Sequence, residues 1–146
     1  MDRTDRAIID ELRADARLTN VELAERVRLS PSPCLRRVRA LEAAGVIRGY
    51  HADVDPAALG RAFAVEVMVE LTQKDRATVE GFEAGVAAME PVIECRRLFG
   101  VPDYLMRVAV ADAEAYEQFY INELAELPGV GRVTSQFTMK LVKAPH

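Results

Sequence analysis

Residues 29–50 read LSPSPCLRRVRALEAAGVIRGY, and the placing of Pro31 and Pro33 decides how the first third of the chain is built. Inside a helix a proline removes a hydrogen bond and clashes with the preceding turn. In the first turn the cost vanishes, because those backbone N–H groups have no intrahelical partner to lose. Ser30 is a good N-cap, and Pro31 then falls at the first helical position. The prolines therefore predict a helix start. Behind them Leu35, Val38 and Leu41, with Cys34 beside them, recur at helical spacing as a buried face. Ser32, Arg36, Arg39 and Ala40 fall on the opposite side, with Arg37 at the edge, and Gly45 supplies the stop.

Working outward towards the N-terminus, Arg28 and Leu29 form a short turn. Ahead of it, TNVE (19–22) is a capping box, with Thr19 as N-cap and Glu22 three residues later. The short helix it opens carries Val21, Leu23, Ala24 and Val27 on its apolar side. Asp2 or Thr4 caps a first helix that buries Ile8, Ile9 and Leu12 and ends near Asp15–Arg17. Three helices joined by short turns, the third presenting arginines outward, make a helix-turn-helix. VIRGY (46–50) follows as a predicted strand carrying Arg48, a wing or a linker.

Charge agrees with this reading once its distribution is considered. The 146-residue chain carries a net charge of −4. Residues 1–60 hold ten arginines and ten acids, whereas 61–146 hold nine lysines and arginines against thirteen acids. Between 26 and 48 six arginines face a single acid, Glu42. A solvated helix face also carries arginines, but these gather beside a helix N-terminus whose free N–H groups suit phosphate.

Beyond the turn-rich linker DVDPAALG (53–60) the period changes from helical to two-residue alternation. FAVEVMVEL (63–71) sets Phe63, Val65, Val67, Val69 and Leu71 against Ala64, Glu66, Met68 and Glu70, a half-buried strand. Asp75 caps a helix carrying Val79, Phe82, Val86 and Met89; VIECRRLF (92–99) and YLMRVAV (104–110) form a hairpin about GVPD. Asp112 caps a second helix with Tyr116, Phe119, Tyr120 and Leu124, and LPGV turns into the last strand, 132–142. The order β-α-β-β-α-β predicts a ferredoxin-like fold with helices on one sheet face. The other face, with Met68, Met106 and Val142, is expected to be apolar and uncovered in a single chain, which predicts a dimer.

These blocks carry a resemblance. DRAIIDELRADAR (5–17), the run from Thr19 to Tyr50 with its L-S-x-[ST]-x-C-x-x-R-V-x-x-L pattern, and GVPDY (100–104) resemble the Lrp/AsnC transcriptional regulators over nearly the whole chain. The resemblance implies an α+β protein: a winged helix-turn-helix that binds double-stranded DNA (1–52), a linker (53–60), and a ferredoxin-like domain (61–146). The second domain is expected to bind an amino-acid-like effector and to form homodimers that assemble to octamers. Residues expected at the DNA are Thr19, Asn20, Ser30, Ser32, Pro33, Arg36, Arg37, Arg39 and Arg48. Those expected at the effector are Gly100, Asp103, Tyr104, Thr134, Gln136 and Thr138, although Gly-x-Pro-Asp is equally good hairpin-turn chemistry.

Other classes fit less well. No apolar run approaches the roughly 18 residues of a membrane span, and the charged N-terminus lacks a signal core, so a cytoplasmic protein is expected. Cys34 and Cys95 belong to no CxxC pair and read as two buried reduced thiols. His51 and His146 are the only histidines, so no metal, cofactor or enzyme activity is expected. A haem-pathway decarboxylase of similar architecture would need a histidine in 52–145, where none occurs. An assembly module with a vestigial helix-turn-helix is the other alternative; it would be expected to have lost these arginines.

Overall fold

The computed structural model describes residues 1–143; His146 lies outside them. The chain divides into two compact units, Met1–Asp53 and one beginning at Val54. Each has its own core.

In the first unit α1 spans Arg3–Ala14, α2 Asn20–Arg26 and α3 Pro31–Ala43. Of the two caps open for α1, Asp2 is the one used, in a reciprocal box with Asp5. Thr19 and Glu22 form the expected box at α2. Ser30 has the extended backbone of an N-cap, but its hydroxyl makes no capping bond; the two prolines have already removed N–H groups that would need one. The α2–α3 turn closes as a Schellman motif: Leu29 N–H reaches Ala24 O at 2.8 Å and Arg28 N–H reaches Glu25 O at 3.2 Å. Arg28 itself sits at φ +57°, where glycine is usual. The same motif ends α3 at Gly45, φ +67°, with Val46 N–H on Leu41 O at 2.9 Å.

Ile8, Leu23, Ala24, Cys34 and Leu41 form this unit's core. Two expectations fail here. Leu35 and Val21 are exposed, because three short helices enclose a core only wide enough for one narrow stripe from each. Residues 46–50 form no strand: a strand needs a neighbour, and this unit offers none. Their backbone turns back on α3 instead, Ile47 N–H meeting Leu41 O at 3.2 Å.

The second unit is a four-stranded antiparallel sheet ordered β2-β3-β1-β4, with β1 Phe63–Leu71, β2 Val92–Arg97, β3 Tyr104–Val110 and β4 Val130–Phe137. α4 (Arg76–Ala88) and α5 (Ala113–Phe119) cover one face, α5 running into a π turn at Tyr120–Leu124. Asp75 and Asp112 cap the two helices as expected, each accepting a backbone N–H three residues on. Val65, Val67, Val69, Phe82, Tyr104, Val108 and Leu124 lie in the core between sheet and helices.

The uncovered face differs from expectation. Register pairs Met106 with Val67, which puts Met106 on the helix side and in the core. β4 ends at Phe137, so Val142 lies outside the sheet. Of the three residues only Met68 is on the open face, opposite Leu105 and Thr134. Beside this Met68–Leu105 pair run ion pairs: Arg107 lies 3.8 Å from Glu66 and 3.5 Å from Glu94, and Arg132 lies 3.9 Å from Glu70. Alternation in β3 reads equally well in either direction, and only pairing selects the parity. Cys95 is also exposed, on edge strand β2, whereas Cys34 is buried.

Candidate DNA-binding face and effector cleft

α3 carries the first candidate site. Ser32, Arg36 and Arg39 are exposed along it, and Pro33 is half-buried in its first turn. The expected basic patch divides into tied and free members. Arg26 is held by Glu11 at 3.1 Å, and Arg37 by both Asp2 and Asp5. Among the described residues Arg28, Arg36, Arg39 and Arg48 have no carboxylate partner. Arg36 and Arg39 lie on α3 and Arg28 in the turn before it, whereas Arg48 lines a pocket with Ile9, Leu12 and Arg13 of α1. Guanidinium groups without a carboxylate partner are what a polyanion needs.

Thr19 and Asn20 are engaged within the fold. Thr19 exchanges hydrogen bonds with Glu22, its hydroxyl donating at 2.7 Å. Asn20 Nδ2 donates to Pro31 O at 2.8 Å, joining the start of α2 to the start of α3. That bond fills the carbonyl of the first helical proline and fixes the angle between the two helices. Tyr50, which sequence reasoning passed over, donates to Glu42 at 2.8 Å. It thereby occupies the one acid of the basic stretch.

The second candidate is a cleft of ≈ 430 Å³ where the β2–β3 loop meets the end of β1. Leu71, Val79, Leu98 and Phe99 give it an apolar wall, and Lys74, Arg97 and Asp103 its charge. Asp103 is the pivot. One carboxylate oxygen accepts from Leu71 N–H at 2.8 Å and the other meets Lys74 Nζ at 2.6 Å. Both partners favour the ionised form, Lys74 most, and hold its pKa below the ordinary value. Gly100 lines the cleft at φ +131°, a conformation reserved for glycine, followed by a cis Val101–Pro102 bond.

Tyr104 forms the floor of the cleft as a core residue. Its ring packs 4.5 Å from that of Phe82 and its hydroxyl donates to Glu83 at 2.8 Å. Burial first, and the Glu83 carboxylate second, push its pKa up to about 12. The other three expected effector residues lie elsewhere. Thr134 and Gln136 are exposed on the open sheet face, opposite Met68 and Glu66, and Thr138 follows the end of β4. Within one chain the six residues fall into two groups on different surfaces. Lys74 and Arg97, which sequence reasoning missed, complete the cleft; a cation directly before the Asp75 cap was the available signal.

Fold and sites together define a two-module protein: a helix-turn-helix with a free guanidinium face, and an α+β module with a charged cleft. Residues 1–48 match the winged helix-turn-helix DNA-binding family model. Residues 64–145 match the Lrp/AsnC ligand-binding domain. The leucine-responsive regulatory proteins of Salmonella typhimurium and Escherichia coli K12 are each 41% identical over 143 residues, covering 98% of this chain and 87% of theirs. A Neisseria meningitidis transcriptional regulator crystallised with L-Met superposes with a TM-score of 0.93 at 38% identity, covering 99% of this chain and 93% of that one. An AsnC-family regulator from Agrobacterium tumefaciens gives 0.91 at 35% identity, covering 99% and 94%. The chain belongs to the Lrp/AsnC family of transcriptional regulators, with a DNA-binding helix-turn-helix and a ligand-binding domain.

Proposed function

We propose that the protein regulates transcription in the cytoplasm in response to an amino acid with an apolar side chain, bound in the Asp103 cleft. The observation that carries this reading is the Lys74–Asp103 pair at 2.6 Å against a wall of Leu71, Leu98 and Phe99. A zwitterion satisfies both members at once, its ammonium on Asp103 and its carboxylate on Lys74 or Arg97. Its side chain would meet the apolar wall. The neighbour crystallised with L-Met supports this class of ligand. The relatives are regulatory proteins by name, which supports a regulatory role for this chain.

Ser30, Ser32, Pro33, Arg36, Arg39 and Arg48 are proposed to meet the duplex, with Thr19 and Asn20 holding the two helices in register. Two such faces on a homodimer would read half-sites about 34 Å, or a multiple, apart. Phe99 and Val101 at the loop tip are exposed, and such residues support assembly beyond the dimer, to an octamer. In that assembly Thr134, Gln136 and Thr138 would meet effector only across a subunit boundary.

A thermal-shift panel of the common amino acids tests the effector reading. Met, Leu and similar residues should raise the Tm, whereas Asp, Glu and Lys should not. Asp103→Asn should remove the response, and so should Lys74→Ala, which leaves the bond from Leu71 in place. A full response in both variants would place the effector elsewhere.

A further inference from the structure

Arg37 lies within the arginine run of α3, yet its surroundings set it apart from Arg36 and Arg39. Its Nη1 donates to Asp2 Oδ2 at 2.8 Å and to Asp5 Oδ1 at 2.7 Å. The same two carboxylates cap α1 reciprocally: Asp2 N–H donates to Asp5 Oδ2 at 2.9 Å, and Asp5 N–H to Asp2 Oδ1 at 2.8 Å. Each carboxylate therefore gives one oxygen to the cap and the other to Arg37. Four charge-assisted bonds close a ring that joins the start of α1 to the middle of α3. Charge-assisted bonds are about twice as strong as neutral ones. Asp5 is 16% exposed against 35% for Arg37 and 53% for Asp2, so only the Asp5 side of the ring is shielded from salt.

We infer that Arg37 is a positioning residue for DNA recognition: bolted to Asp2 and Asp5, it sets the roll of α3 so that Arg36 and Arg39 face the duplex, and it neutralises no phosphate itself. Its charge is already met by two carboxylates. Both bonds use Nη1, so a phosphate could still approach Nη2 or Nε, but the two carboxylates already neutralise the guanidinium and would repel that phosphate. Helix roll matters because base-edge hydrogen bonds tolerate little misplacement, whereas phosphate contacts by flexible guanidinium groups adapt. Loss of the bolt should therefore damage specificity more than general affinity. This rests on the helix-turn-helix binding DNA through α3, which Arg36→Ala tests separately.

The experiment measures binding of the full chain to a duplex from upstream of its own gene and to a random-sequence duplex of equal length, each over a salt series. Arg37→Ala, shown folded by circular dichroism at the assay temperature, should lower the specific-to-random affinity ratio about tenfold, comparable to removing one bidentate bond to a base. Its salt slope on random DNA should match the parent's. Arg36→Ala should lower that slope by about 0.9 for each phosphate that Arg36 neutralises. Asp2→Asn with Asp5→Asn removes two anions, so random-DNA affinity should rise while the ratio falls. If Arg37→Ala does not fold, Arg37→Met keeps the aliphatic stem and carries the same expectation. A reduced slope in the Arg37 variant would show that Arg37 meets a phosphate directly and overturn the inference. An unchanged ratio in either the Arg37 variant or the double-Asn variant would show that the ring serves stability alone, and would overturn it too.

Discussion

Two single residues, one strained and one held by charge, show how local geometry enters stability. Arg28 holds a left-handed backbone in the Schellman turn between α2 and α3. A side chain branched at Cβ is strained there, by about 1–3 kcal/mol. Arg28→Val should lower the urea midpoint accordingly, whereas Arg28→Gly should not lower it. Equal midpoints for Val and Gly would show that the turn relaxes. Asp103 is the other. Its pKa is depressed in the folded chain by Lys74 and by Leu71 N–H. Its contribution is thus complete above the unfolded value of about 3.9 and is lost as pH falls through the lower folded value. Asp103→Asn should melt below the parent by a constant margin above about pH 5, and the two curves should converge as pH falls below about 4. Parallel curves down to acid pH would mean the carboxylate is not held by these partners.

At the scale of elements, α3 is read most readily from its start and its stop. Pro31, Pro33 and Gly45 have requirements set by backbone chemistry alone, and each falls where its stereochemistry allows. The side on which α3 faces its neighbours was less legible. Leu35 keeps helical spacing with Val38 and Leu41, yet it is exposed, because the stripe buried by two short partners is narrower than the apolar stripe written in the chain. Among the described residues Arg36 and Arg39 have no carboxylate partner, and both are exposed. Replacing both by Ala should reduce the slope of log K against log salt by about 0.9 for each phosphate the pair neutralises. An unchanged slope would move the DNA-binding face off α3. The β3 strand teaches the converse lesson. Its alternation is evident, but its parity came from pairing with β1, which buried Met106 and left Leu105 and Arg107 on the ionic face. Exposed pairs of that kind contribute only about 0.2–1 kcal/mol each, so they describe a hydrated surface rather than a stabilising one.

Taken whole, the molecule has two cores with no shared member among the described residues, one around Ile8 and Cys34 and the other around Phe82 and Tyr104. Buried aliphatic truncation costs about 2–5 kcal/mol, a large share of what a small helical unit has. Ile8→Ala should therefore unfold or loosen the first unit and abolish DNA binding. Tyr104 and Tyr116 are buried in the second unit, so its near-ultraviolet tyrosine signal should survive. Joint loss of that signal would mean that the two cores melt as one. The effector site also belongs at this scale. The residues expected at the effector divide between the Asp103 cleft and the open sheet face, and only the proposed assembly of copies would bring the two groups together.

The amino-acid sequence alone determined the order of the main helices and of the four sheet strands, the caps at Thr19, Asp75 and Asp112, the change from a helical to a two-residue period, and the family. All of these follow from local stereochemistry and from patterns spanning a few neighbouring residues. Tertiary structure decided which arginines are free and which are tied, which side of β3 is buried, where β4 stops, and that Lys74 meets Asp103. Each of those depends on which distant segment arrives alongside. Charge pairing and strand register are properties of two segments at once, and neither segment carries them by itself.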